Sequence, residues 1–238
     1  MIKAAIDKIL ELAPIEQFEI AGRKYTSNTI VPVLEPTPKT LTVHTLSGLV
    51  DYLTKGIDDL KDAKLTLHVA SPVEVNLYGF IKDNSFCERP EFIKAIFESP
   101  QFAKNNYCDL ENFIIGLQAF FVQTESSAAL LKVIGNLRDE KVNQFEDDGR
   151  TQSVTAKSGI ATKENVTVPN PVTLKPFRTF PEIAQPESLF VFRMKQQQGQ
   201  APACGLWEAD NKIWKVEAIK SIAAWLQDKV PASVPIIA

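Results

Sequence analysis

Apolar positions recur along this chain at two spacings, and the change from one to the other organises it. Ile2, Ala5, Ile6, Ile9, Leu10 and Leu12 follow helical spacing and stop before Pro14, which predicts a helix over 2–13. Phe18, Ile20 and Tyr25 predict a short extended piece. Ile30 to Pro38 carries Pro32, Pro36 and Pro38, so it reads as an edge or linker. Leu41 and Val43 alternate with threonines, and Thr45 is placed to cap a helix burying Leu46, Leu49, Val50 and Leu53. Residues 64–70 turn Leu65, Leu67 and Val69 one way, and residues 73–80 do the same with Val73, Val75 and Leu77. Ser71-Pro72 between them predicts a hairpin.

Pro90 is placed as the first residue of a helix that buries Phe92, Ile93, Ile96 and Phe97 and ends at Ser99-Pro100. Asp109 precedes the strongest helical pattern, with Leu110, Phe113, Ile114, Leu117, Phe120 and Phe121 on one face. A further helix over 126–137 buries Leu130, Leu131, Ile134 and Leu137. The period then shifts to two. Residues 142–157 read as strands around Asp148-Gly149, a hairpin-turn dipeptide. Residues 166–174 and 188–195 read as further strands, and 196–200 as a polar loop. Leu206 to Val216 reads as a strand, an Asp210-Asn211 turn and a second strand. A last helix puts Val216, Ile219, Ile222, Ala223 and Leu226 on one face and stops at Val230-Pro231, leaving a frayed tail. Helices and strands intersperse without a βαβ rhythm. This predicts an α+β fold with a mostly antiparallel sheet, either as one domain or as two subdomains meeting near residue 100.

Composition narrows the function classes. Hydrophobic content of 45% and charged content of 23% are those of an ordinary globular protein. A net charge of -3 argues against a broad basic coat for nucleic acid, while leaving room for a local patch. The first residues mix charges into an apolar run, so no secretory signal is expected. No run approaches the roughly 20 apolar residues that span a bilayer, so no membrane partner is expected. Cys87, Cys108 and Cys204 are far apart and form no CxxC pair, the pattern of reduced cytosolic thiols. The motifs GxxxxGK[ST], GxGxxG, HExxH and GxSxG are absent, and no cofactor is implied.

Residues 166–195 hold five of the chain's 15 prolines, between runs of apolar alternation, and so read as strands joined by a stiff connector. Lys175, Arg178 and Arg193 lie there among Phe177, Phe180, Phe190 and Phe192. Guanidinium groups beside aromatic rings suit phosphate and stacked bases, which makes these three the candidate ligand-binding residues. The alternation in 188–195 offers the simpler reading. Leu189, Val191 and Arg193 take one face, Phe190, Phe192 and Met194 the other, and the arginines pair with Glu182 or Glu187 at the rim. Trp207, Trp214 and Trp225 are expected to join the same core. Glu146, Asp147 and Asp148 suggest a divalent-metal site, although an Asp-Gly turn explains them without a ligand. His44 and His68 sit opposite the apolar set of their strands and have no zinc-ligand spacing.

The run LENFIIGLQAFF at 110–121, followed by VPNPVTL, RTFPEI, QPESLFVFRMK and a tryptophan-bearing end, resembles the YfdQ-like group of phage and prophage proteins. The resemblance covers roughly the last 130 residues and carries over no catalytic residue. It implies a bacteriophage accessory product made in the bacterial cytoplasm. The expected function is a non-enzymatic binding protein acting on a host or phage macromolecule. Homo-oligomerisation through proline-bearing edge strands and apolar faces is also expected. The alternatives are a nucleotide or nucleic-acid binder using Lys175, Arg178 and Arg193, and a metal-dependent enzyme at Asp147 and Asp148.

Overall fold

A computed structural model describes residues 2–12, 16–26, 37–60, 63–81, 88–100, 102, 105–138, 141–147, 152–158, 162–167, 170–197 and 200–238. The chain opens with α1 (Ile2–Leu12) and a hairpin of β1 (Gln17–Ile20) and β2 (Arg23–Thr26). The predicted linker at 30–38 lies mostly outside the described residues. Next come β3 (Leu41–Val43), α2 (Leu46–Thr54), β4 (Thr66–Ser71), β5 (Glu74–Tyr78) and β6 (Glu91–Ile96). Thr45 is extended, and its side chain accepts from Gly48 N at 3.0 Å, which is the expected cap of α2. The predicted hairpin forms between β4 and β5.

The helix expected from Pro90 is instead strand β6. It pairs antiparallel with β5 and parallel with β3, and turns Ile93 and Ala95 inward. Its apolar residues suit either period over so short a run, and a vacant sheet edge beside β5 selects the strand.

The second half holds β7 (Tyr107–Cys108), α3 (Leu110–Ala119), α4 (Glu125–Arg138), β8 (Lys141–Asp147), β9 (Gln152–Ser158) and β10 (Thr162–Thr167). It continues with β11 (Val172–Leu174), β12 (Ser188–Gln197), β13 (Gln200–Glu208), α5 (Trp214–Lys229) and β14 (Ile236–Ile237). Asp109 caps α3 through Asn112 N at 2.9 Å. Helix α3 ends at Ala119, before the two phenylalanines expected to extend it, and Phe121 instead bridges to Pro176. The strand expected over 166–174 divides between two sheets, on either side of a cis Asn170-Pro171 bond.

Three further expectations are corrected at the C-terminus. Residues after the 210–213 turn form α5, not a strand. Its buried face is Trp214, Ala218, Ile222 and Leu226, and Val216 is 54% exposed. The tail is not frayed: β14 pairs parallel with β4, and Pro235 O accepts from Leu67 N at 3.0 Å.

The fold is α+β, with sheets that are mainly antiparallel and helices packed on them. One core joins α3 and α4 to the sheet ordered β11-β12-β13-β7, through Phe113, Leu117, Leu130, Phe190, Phe192 and Leu206. The other joins α2 and α5 to the sheet ordered β14-β4-β5-β6-β3. That second core combines Leu46 to Ala95 with Phe180, Ile183, Ile222 and Leu226, so it draws on both sides of residue 100. No helix among the described residues is long and apolar enough to cross a membrane.

Candidate functional site

The proline-rich connector between β11 and β12 is a strut that runs from one core into the other. Phe180 is fully buried in the second core, with its ring centroid 5.9 Å from that of Phe97. Thr179 Oγ1 donates to Pro72 O at 2.6 Å, and Ser99 Oγ donates to Phe177 O at 3.2 Å. Glu182 Oε1 accepts from the backbone N and the hydroxyl of Ser47, at 2.9 and 3.0 Å, in the first turn of α2. There a carboxylate suits both the vacant donors and the helix dipole. Gln185 ties the strut to itself. Its Oε1 accepts from Arg178 N and Thr179 N, while its Nε2 donates to Thr179 O and Phe180 O.

Arg178 is the centre of this joint and is 97% buried, as its 3% exposure shows. Nη1 pairs with Glu208 Oε1 at 2.5 Å. Nη2 donates to Pro186 O, Glu187 O and Ser188 Oγ. The guanidinium carbon lies 3.9 Å from the ring centroid of Trp214, a stacked cation–π geometry. Burial pulls the guanidinium below its ordinary value, and Glu208 acts against that by favouring the charge. Four parts of the chain thus meet at one side chain: the strut, the start of β12, the end of β13 and the start of α5.

The three sequence-predicted ligand residues are not brought into one cluster. Lys175 lies near Arg178, at the rim, and pairs with Glu187 at 3.0 Å. The arginines were expected to pair with Glu182 or Glu187; instead Lys175 takes Glu187, Ser47 takes Glu182, and Arg178 pairs with Glu208. Arg193 stands five residues along β12 from Ser188, roughly 17 Å away at strand rise. Around Lys175 and Arg178 the carboxylates are Glu187, Glu208, Asp210 and Glu217, and the Lys215 ammonium, 5.9 Å from the Trp214 ring centroid, is a third cation against these four. A phosphate approaching there meets net negative charge.

Arg193 belongs to the outer face of the sheet. The alternation expected for β12 is observed: Phe190, Phe192 and Met194 are buried, and Leu189, Val191 and Arg193 point the other way. Val191 opposes Trp207, Arg193 opposes Gly205, and Gly205 opposes Tyr107, which places these side chains on one surface. The Trp207 ring lies over Gly205, where a Cβ would come within 2.6 Å of it, so glycine is required there. Tyr107 meets the same indole edge-on, with centroids 4.9 Å apart. At the far end of the face, Leu189, Ile213 and Trp214 line a shallow depression of about 250 Å³ together with Glu187, Asp210 and Glu217.

The tryptophans therefore do not share a core. Trp207 lies on the outer face, Trp214 stacks under Arg178, and Trp225 packs at the second core. Neither Trp207 nor Tyr107 is expected at a surface from the sequence. The signal was present for Trp207, which alternates with inward Leu206. Asp147 ends β8, while Asp148 lies outside the described residues, as does Cys87. Among the described residues no three of His, Cys, Asp and Glu are grouped to hold a metal. His44 Nδ1 lies 3.1 Å from Ile96 O, and His68 faces away from buried Leu67 and Val69.

Comparison with protein-family models, curated proteins and solved structures returns no match.

Proposed function

We propose that this is a non-enzymatic binding protein, phage-derived as the resemblance implies, that engages a host or phage macromolecule through the outer face of the β11-β12-β13-β7 sheet. One observation carries the reading: apolar side chains stay exposed on a rigid, well-buried frame. Leu189 is 44% exposed and Tyr107 38%, and Ile213, in the turn beside them, 60%, while the opposite face of the strands is closed by α3 and α4. Exposed apolar patches with aromatic residues on a fixed scaffold mark interaction surfaces.

Charge selects the class of partner. Asp210 and Glu217 lie at one end of the strip, and Arg193 and Lys195 at the other. The depression is smaller than the ~300–1,000 Å³ of small-molecule sites, and suits one side chain of a partner. A protein segment with an apolar centre, a basic residue toward Asp210 and an acidic residue toward exposed Lys195 complements this strip. Nucleic acid carries phosphates along its whole length, and would avoid the acidic end.

The test uses fluorescent ten-residue peptides with leucines at the centre, arginine at one end and glutamate at the other. The expected result is saturable binding, weakened at least tenfold by Leu189→Asp. Equal binding by that variant overturns the assignment of the face. Tighter binding of a single-stranded oligonucleotide, lost in Arg193→Ala, moves the assignment to the nucleic-acid reading.

A further inference from the structure

Cys108 and Cys204 stand directly opposite each other on the antiparallel strands β7 and β13. Opposed residues place their side chains on the same face, and here that is the inner face, against the α3–α4 core. Opposed Cα atoms lie about 4.5–5.5 Å apart, within the ~4.4–6.8 Å that disulfides span. Cys108 Sγ lies 3.7 Å from the carbonyl oxygen of Cys204, so its thiol already reaches across the strand pair. Both residues are free thiols in this structure.

We propose that Cys108 and Cys204 form a redox-responsive pair, which a small oxidising disulfide closes into a cross-strand bond. Cys108 is half-buried and Cys204 fully buried, so Cys108 is the point of entry. Its thiolate attacks the small disulfide, forms a mixed disulfide and releases one small thiolate. The Cys204 thiolate then attacks the Cys108 sulfur and expels the second. Two electrons pass from the cysteine sulfurs to the small disulfide, and their two protons end on the two released thiols.

The closed bond ties the edge strand β7 to β13. Because Asp109 follows Cys108 and caps α3, it also fixes the start of that helix. Burial pushes the Cys204 thiol up to about 12, and burial with the Asp109 carboxylate raises that of Cys108. Few thiolates then exist at neutral pH, so the pair closes slowly there and faster in alkaline buffer.

The experiment uses the full chain with Cys87→Ser, treated with oxidised glutathione in mildly alkaline buffer without denaturant. Intact mass and a non-reducing peptide map are the readouts. The expected product has lost two hydrogens, retains no glutathione and links the 108 and 204 peptides. It melts higher than the reduced form, and adding Cys108→Ser abolishes the link. A lasting glutathione adduct on Cys108, or a bond that forms only in urea, overturns the proposal.

Discussion

Arg178 was a candidate ligand residue in the sequence, and its surroundings give it a different physical role. Its guanidinium donates to Glu208, Ser188 and two carbonyls while stacking on Trp214. Removing one partner of such a pair strands the other charge in a poorly solvated place. Arg178→Met is therefore expected to cost about 3–5 kcal/mol, read as a lower urea midpoint with an unchanged slope. Arg178→Met combined with Glu208→Leu is expected to recover part of that loss, since the orphaned carboxylate is gone. A lone Arg178→Met variant of wild-type stability would mean that the joint is not held by this side chain. The sequence contained the arginine and its aromatic neighbours. It did not contain Glu208, thirty residues later, as a partner, because that pairing exists only once β12 and β13 lie side by side.

At the scale of elements, local chemistry was most legible where it closes on itself. Thr45 and Asp109 cap the helices that follow them, through backbone groups three residues ahead. The β4–β5 hairpin and the two faces of β12 follow from alternation alone. Local pattern does not decide the element where two periods fit the same residues, as in β6, or where pairing is distant, as in β14. Ile236 and Ile237 look like a loose apolar end, yet they add a parallel strand beside β4 after a long excursion of the chain. Ending the chain at Val234 removes the Pro235 O to Leu67 N bond and the packing of Ile236 on the second core. The expected cost is about 2–3 kcal/mol, combining lost apolar burial with an unpaired backbone donor. Thermal denaturation of the shortened chain checks it.

At the scale of the whole molecule, two cores are fastened by one strut and by the return of α5. Phe180 starts in a segment leading out of β11 and ends fully buried against Phe97, in the core of the other sheet. Phe180→Ala is expected to cost about 3–5 kcal/mol through the cavity it leaves. It is also expected to divide one thermal transition into two, because the strut loses its anchor in the second core. Scanning calorimetry of wild type and variant decides this, and a single transition in the variant would show that α5 alone couples the cores. Composition and pattern by themselves determined that this is an α+β protein, which faces of β12 are wet and dry, and where α2 and α3 begin. Those features depend on neighbours a few residues apart. The tertiary structure alone decided that the proline-rich tract is a joint, that Trp207 and Tyr107 share an exposed face, and that Cys108 opposes Cys204. Each of these depends on which strands become neighbours, and long-range pairing leaves little trace in the local order of residues.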